Sequence, residues 1–322
     1  MNLSRERLLT EAANLSFRPE ILEKAARLLA LLEALVRHPR LRGRLALKGG
    51  TALNLFLFDV PRLSVDIDLN YIGAVDREAM LAERPEIERA IEIVGQAEGM
   101  SITRIPEDHA GGKWRLRYQS ALGQAGSIEI DLNFMFRVPL WSVALRDSRP
   151  LGRFAAIGIP VLDLHEIAAG KLAALVSRRA SRDLFDAHAL LTREDISHDR
   201  LRTAFIAIGA MNRVDWRTVS AEGIGFDVNE LREQLLPVLR SAAFRGDHEL
   251  NAWADRLVTE CRARLGVLFP FTDREREFLN RLLDHGEIRP ELITSDEALA
   301  RRLLQHPALA WKAQNVKKHF GR

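Results

Sequence analysis

The sequence contains a single cysteine and no long apolar run. Cys261 stands alone among 322 residues, which excludes an intramolecular disulfide and a zinc site built on several cysteines. The nearest candidate for a membrane span, residues 154–162, is far shorter than the roughly 20 residues that cross a bilayer. The N-terminus lacks the apolar core of a secretory signal. We therefore expect a soluble cytoplasmic protein with no membrane partner.

Lysine is scarce as well. Seven of the 47 basic side chains are lysine, the remainder are arginine, and 44 acidic side chains leave a formal net charge of +3. The arginine excess has two explanations: a coding bias that replaces lysine throughout, or bidentate binding of phosphate groups. Composition by itself favours the coding bias. A hydrophobic content of 47% and a charged content of 28% are typical of a folded globular protein.

The chain changes character near Pro160. Before it, segments of period two alternate with helical segments, whereas the later part is helical almost throughout. This predicts a mixed α/β domain over residues 1–160 and a helical domain over residues 161–322. The pattern indicates helices at 19–37, 51–58, 76–98 (interrupted at Pro85), 163–179 and 182–191, and strands at 45–48, 65–72, 101–105, 113–119 and 127–134.

Two of these strands carry acidic side chains on one face. Asp66 and Asp68 occupy positions i and i+2 of one strand, so their carboxylates project to the same side, roughly 6–7 Å apart at the backbone. Such a pair can share a hard divalent cation. Asp131 on the later strand adds a third carboxylate if the strands are neighbours, with Glu129 as the alternative third member. Strands that lie apart, or face solvent, would make both patterns structural only.

Residues suited to binding phosphates precede the Asp66 strand: Lys48, Gly49, Gly50, Thr51, Arg62 and Ser64. The glycines allow the backbone to approach an anion closely, and a following helix offers free N–H groups. The alternative is a plain turn between a strand and a helix, with Arg62 paired to Asp59 or Asp66.

A second polar group lies in the helical half. Lys171 stands on an otherwise apolar helix, and a point charge there can bind a nucleotide phosphate. Alternatively, Glu166 and Lys171 are both residues of the polar face of that helix. Asp183 and Asp186 share a helix face at i and i+3, near three arginines: Arg178, Arg179 and Arg182. The alternative interpretation is a cluster of salt bridges within that helix.

The order of these residues resembles the AbiEii/AbiGii family. Its members are nucleotidyltransferase-like toxins of toxin–antitoxin and abortive-infection systems, and they include the mycobacterial MenT toxins. The resemblance covers about residues 20–195 and rests on Lys48-Gly-Gly-Thr-Ala-Leu, Arg62-x-Ser64-x-Asp66-Ile-Asp68-Leu, Asp131, Lys171 and Arg182-Asp183-x-x-Asp186. It implies an α+β protein: a DNA-polymerase-β-like nucleotidyltransferase domain, with a mixed sheet and flanking helices, followed by a mostly helical C-terminal domain.

The resemblance also implies roles for individual residues. Asp66 and Asp68 would bind Mg²⁺ or Mn²⁺, with Asp131 as a third ligand matched by position. Lys171 corresponds to the lysine of the third motif, and Asp183 or Asp186 to the acidic residue of the fourth. The expected catalytic residues are Asp66, Asp68, Asp131, Lys171 and Asp186. The expected nucleotide-binding residues are Lys48, Gly49, Gly50, Thr51, Arg62, Ser64, Arg182 and Asp183.

The implied reaction is the transfer of NMP from an NTP. CTP or another pyrimidine nucleotide is the expected donor, and the 3′ acceptor end of tRNA is the expected acceptor, so that aminoacylation and translation are blocked. A cognate antitoxin encoded nearby is the expected protein partner. Two alternatives stay open: nucleotidylation of a protein hydroxyl, and a nucleotide-binding module without transfer activity.

Overall fold

The computed structural model describes the chain in five segments: residues 3–59, 61–105, 111–178, 180–244 and 249–319. Arg179 lies outside them. The chain divides into two compact units. The first comprises Met1–Arg137, Val143–Leu162 and Leu236–Arg245, and the second comprises Val138–Ser142, Asp163–Leu235 and Gly246–Arg322.

A mixed seven-stranded sheet forms the centre of the first unit. Its strands are β1 Leu45–Lys48, β2 Asp66–Tyr71, β3 Ser101–Ile105, β4 Gly111–Gln119, β5 Ala125–Asn133, β6 Ala144–Arg146 and β7 Ile159–Val161. They run in the order β3-β4-β5-β2-β1-β7-β6. β2 is parallel to β5 and β1 is parallel to β7, whereas the remaining pairs are antiparallel. The predicted mixed sheet is confirmed.

The helices of the first unit are α1 Arg5–Leu15, α2 Pro19–Arg37, α3 Gly49–Ala52 and α4 Arg77–Ala97. α2 has the predicted bounds, with proline in its first turn. α3 begins directly after β1 and continues as a π-helical segment over Leu53–Leu57. The helix therefore begins two residues before the predicted start at residue 51. The predicted interruption at Pro85 is wrong, because α4 runs through that residue.

The two faces of the sheet differ in polarity. One face carries buried apolar side chains such as Ile67, Ile130 and Trp114. α4 packs there so closely that a Cβ atom on Gly95 would lie 2.8 Å from a Leu116 methyl group. The other face carries polar side chains that solvent reaches, as the alternating burial of β4, of β5 and of residues 66–69 in β2 shows. Period two in the sequence therefore separates a packed face from a chemically available one.

The second unit is helical, as predicted for the C-terminal part. Its helices are α5 Leu164–Ser177, α6 Ser181–Leu191, α7 His198–Ala210, α8 Val228–Glu230, α9 Leu250–Arg264, α10 Asp273–His285, α11 Glu297–Gln305 and α12 Pro307–His319, joined by short 3₁₀ and π segments. No helix in the described part of the chain is both long and apolar enough to cross a membrane.

A buried carboxyl group fixes the start of α5. Glu166 accepts a hydrogen bond from the Leu140 N–H at 2.9 Å, which ties the segment Val138–Ser142 to the helix. Burial, with a smaller contribution from the charge of Asp163, raises the pKa of Glu166 to about 8. Glu166 is therefore not a polar-face residue of α5, and this anchor belongs to the helix that also carries Lys171.

Candidate active site

Four carboxylates line adjacent strands on the open face of the sheet. β2 and β5 pair in parallel, with Asp66 opposite Glu129 and Asp68 opposite Asp131. Paired residues of neighbouring strands share a face, about 4.8 Å apart between strands. The alternative that the two acidic strands lie apart is excluded. The sheet thus concentrates negative charge where β2 and β5 meet.

The aspartate pair on β2 suits a divalent cation shared with a nucleotide. Among the residues that the structure describes, no three His, Cys, Asp or Glu side chains gather closely enough to hold a metal ion by themselves. Mg²⁺ in nucleotide sites is commonly held by one or two carboxylates together with phosphate oxygens. Asp66 and Asp68 share a face, and the Asp66 side chain is 40% exposed. They fit a divalent cation held in that mode.

Three of the seven lysines adjoin these carboxylates. Lys48 of β1 lies opposite Asp68, and Lys113 of β4 lies opposite Asp131. The Lys24 Nζ of α2 lies 3.9 Å from Asp66 Oδ1. Sequence reasoning singled out Lys48 but missed Lys24 and Lys113, which only the fold brings close. The scarcity of lysine was the one sequence feature that could have drawn attention to these two residues. It does not identify Lys113 without knowledge that β4 pairs with β5.

The backbone of Gly49 packs directly against Asp68. Gly49 has φ +71°, a conformation that favours glycine. A Cβ atom at this position would overlap the Asp68 carboxylate, with Asp68 Cγ only 2.9 Å away. Gly50 follows as a buried residue of α3. The two glycines therefore allow the chain to pass directly from β1 into α3, and no side chain separates the Gly49 backbone from Asp68.

We expect Gly49→Ala to abolish the nucleotide transfer that the family resemblance implies and to destabilise the protein more than Gly43→Ala. Both glycines have φ +71°, but nothing lies within 4 Å of a Cβ atom on Gly43. Alanine at Gly43 therefore adds only the left-handed strain of about 1–2 kcal/mol, whereas alanine at Gly49 also displaces Asp68. Urea unfolding and nucleotide transfer of both variants check this. Equal effects of the two substitutions would show that the contact with Asp68 is unimportant.

Thr51, Arg62 and Ser64 surround the start of β2. The buried Thr51 hydroxyl donates to the Asp66 carbonyl oxygen, and the buried Arg62 guanidinium donates to the Leu63 carbonyl oxygen at 3.1 Å. Ser64 is also buried and lies two residues before Asp66. These contacts fix the strand that carries the aspartates. The predicted contacts of the three side chains with phosphates stay predictions.

The residues that the resemblance assigns to the third and fourth motifs form an ion cluster within the second unit. The Lys171 Nζ of α5 lies 2.9 Å from Asp186 Oδ2 and 3.2 Å from Asp183 Oδ1, both on α6. The Arg178 Nε lies 2.8 Å from Asp183 Oδ2. The Asp186 side chain is fully buried, and Arg182 of the same helix is half-buried. The cluster joins two helices, so the alternative of salt bridges confined to one helix is wrong.

A family model and a solved structure match the chain. The model of the nucleotidyl transferase AbiEii toxin family, of type IV toxin–antitoxin systems, matches residues 30–313. Among solved structures, MenT4, a nucleotidyltransferase toxin from Mycobacterium tuberculosis H37Rv, is similar with a TM-score of 0.55 and 20% sequence identity. The match covers 96% of this chain and 99% of that one, and at this identity it concerns the fold. No curated protein sequence matches the chain significantly.

Proposed function

Because the chain belongs to the AbiEii family of nucleotidyltransferase toxins of type IV toxin–antitoxin systems, we propose that it transfers NMP from an NTP to the 3′ acceptor end of tRNA. The modified tRNA would no longer be aminoacylated, and translation would stop. The observation that carries the proposal is the register of β2 and β5, which sets Asp131 beside Asp68, with the Gly49 backbone against the same aspartate.

In the proposed reaction, the triphosphate lies over the backbone of Gly49 and Gly50, near Ser64. Mg²⁺ or Mn²⁺ held by Asp66 and Asp68 would neutralise phosphate charge when bound. The RNA 3′-hydroxyl attacks the α-phosphorus in line, forming the new P–O bond. The bond between the α-phosphorus and the oxygen that bridges it to the β-phosphorus breaks, and pyrophosphate leaves with the electron pair. Asp131 accepts the hydroxyl proton, since its strand adjoins that of Asp68.

The resemblance extends the proposal to residues of the second unit. Lys171 and Asp186 are assigned to transfer, and Arg182 and Asp183 to nucleotide binding. The family also suggests CTP or another pyrimidine as the preferred donor. A toxin of this class implies an antitoxin partner, and we expect its gene to lie next to that of the toxin.

The test is an incubation of the protein with total tRNA, a cell extract and each α-labelled NTP in turn, with Mg²⁺ or Mn²⁺. The products are separated on one RNA gel and one protein gel. We expect label on RNA, strongest with one pyrimidine nucleotide. Label on protein alone would establish the alternative acceptor. NTP binding without label on either gel, beside an active control enzyme, would overturn the proposal.

A further inference from the structure

A row of basic side chains runs along β4, beside the carboxylates. Lys113, Arg115 and Arg117 alternate along the strand, so they share one face about 6.8 Å apart. Their register partners on β5 are Asp131, Glu129 and Ser127. Because paired residues share a face, this basic row lies on the same open face as Asp68 and Asp131.

The charges of the basic row are only partly neutralised within the fold. Glu129 binds two of its members, with the Lys113 Nζ 3.0 Å from Oε2 and the Arg115 Nη2 2.7 Å from Oε1. Lys113 and Arg115 keep side-chain exposures of 30% and 46%. Arg117 is exposed and faces Ser127, and in the described part of the chain it has no carboxylate partner. Among the residues that the structure describes, the positive charge of Arg117 is therefore the one in this row that no carboxylate neutralises.

The order of the strands gives the basic row a place in the reaction. The sequence β4-β5-β2-β1 puts the carboxylates of β5 and β2 between the basic row and the Gly49–Gly50 turn that follows β1. In-line displacement brings the attacking group and the leaving group to opposite sides of the phosphorus. If pyrophosphate leaves over Gly49 and Gly50, the attacking hydroxyl arrives from the side of β5 and β4.

We propose that Lys113, Arg115 and Arg117 hold successive backbone phosphates of a polynucleotide acceptor and direct its 3′ end toward Asp131. The inference rests on the proposed function and adds the subsite that receives the acceptor. Three cations at regular spacing on a straight strand match a polymer with one phosphate per residue. Arg117 binds first, since no carboxylate in the described segments has to be displaced from it. The ion pairs with Glu129 weaken phosphate binding by Lys113 and Arg115.

RNA binding without NTP tests the basic row separately from transfer. The anisotropy of a 5′-labelled tRNA gives the dissociation constant over a range of salt concentrations. We expect Arg117→Ala to weaken binding about fivefold and to reduce the slope of log K against log salt by about 0.7–1, because one phosphate contact is lost. The matched control is Arg42→Ala, an exposed arginine before β1 in the same unit, which should change neither quantity.

A second variant moves binding in the opposite direction. Glu129→Gln removes a carboxylate that competes with phosphate for Lys113 and Arg115. We expect RNA to bind about threefold more tightly to this variant. Tighter binding in Glu129→Gln and weaker binding in Arg117→Ala together cannot be explained by a general loss of folding.

Three results would overturn the inference: equal RNA binding by Arg117→Ala and Arg42→Ala, unchanged binding by Glu129→Gln, or no salt-dependent RNA binding by the wild type. Labelled-NTP transfer separates this failure from that of the proposed function. If the wild type transfers label to RNA but Arg117→Ala does not weaken RNA binding, the proposed function holds and the proposed acceptor subsite is refuted. If the proposed function and the acceptor subsite are both correct, Arg117→Ala raises KM for RNA and leaves KM for NTP and kcat unchanged.

Discussion

Replacing Asp68 with asparagine is expected to lower nucleotide transfer by about a thousandfold or more while the protein stays folded. Asp68 occupies the middle of the polar row, between Lys48 on β1 and Asp131 on β5, with the Gly49 backbone against its carboxylate. Asparagine keeps the shape of the side chain but removes the charge that would hold a divalent cation. Single-turnover transfer of labelled NMP at saturating NTP measures the loss.

Asp59→Asn is the matched control for this substitution. It makes the same chemical change in the same unit. The Asp59 side chain is 64% exposed, and its ion pair with Arg240 is long, with 3.5 Å between Asp59 Oδ1 and Arg240 Nη2. We expect wild-type transfer and an unfolding free energy within about 0.5 kcal/mol of the wild type. A transfer rate of Asp68→Asn within tenfold of that of Asp59→Asn would show that Asp68 does not act in the reaction.

Lys171→Met should destabilise the second unit by about 3–5 kcal/mol, because it removes the ammonium group that lies between two buried carboxylates. Asp186 is the more affected partner, since it is fully buried, whereas Asp183 keeps Arg178 at 2.8 Å. Urea unfolding monitored by tryptophan fluorescence measures the change. Lys317→Met, at an exposed lysine of the same unit, should cost less than about 0.5 kcal/mol.

A double variant separates folding from catalysis at this cluster. Lys171→Met with Asp186→Asn removes both charges of the 2.9 Å pair, so most of the lost stability should return. If Lys171 or Asp186 also acts in transfer, as the family motifs imply, the double variant folds and stays inactive. Recovery of both stability and activity would make the lysine purely structural. Wild-type stability of Lys171→Met alone would refute the predicted energetic role of the cluster.

The acidic face was predictable from sequence because it depends on local periodicity. Strict alternation in 65–72 and 127–134 set Asp66, Asp68 and Asp131 on single faces, and the structure keeps β2 and β5 there. The start of α2 followed from Pro19 and the apolar repeat. In each case the physical cause lies within a few residues of the feature, so a single sequence contains it.

The neighbours of these residues were not predictable in the same way. Which strand adjoins β5 decides that Lys113 faces Asp131, and strand pairing is a long-range property. The three-residue strands β6 and β7 are too short to show a period. The return of Leu236–Arg245 to the first unit, where the Leu63 N–H donates to the Val238 carbonyl oxygen, left no local signal.

The central claim is that the open sheet face adds a nucleotide to the end of an RNA chain. The most direct measurement is the mass of the 3′-terminal tRNA fragment after incubation with wild-type protein, each NTP and Mg²⁺, with Asp68→Asn in parallel. We expect a fragment longer by one or more nucleotides with the wild type and an unchanged fragment with Asp68→Asn. An unchanged fragment in both reactions, or equal extension in both, would contradict it.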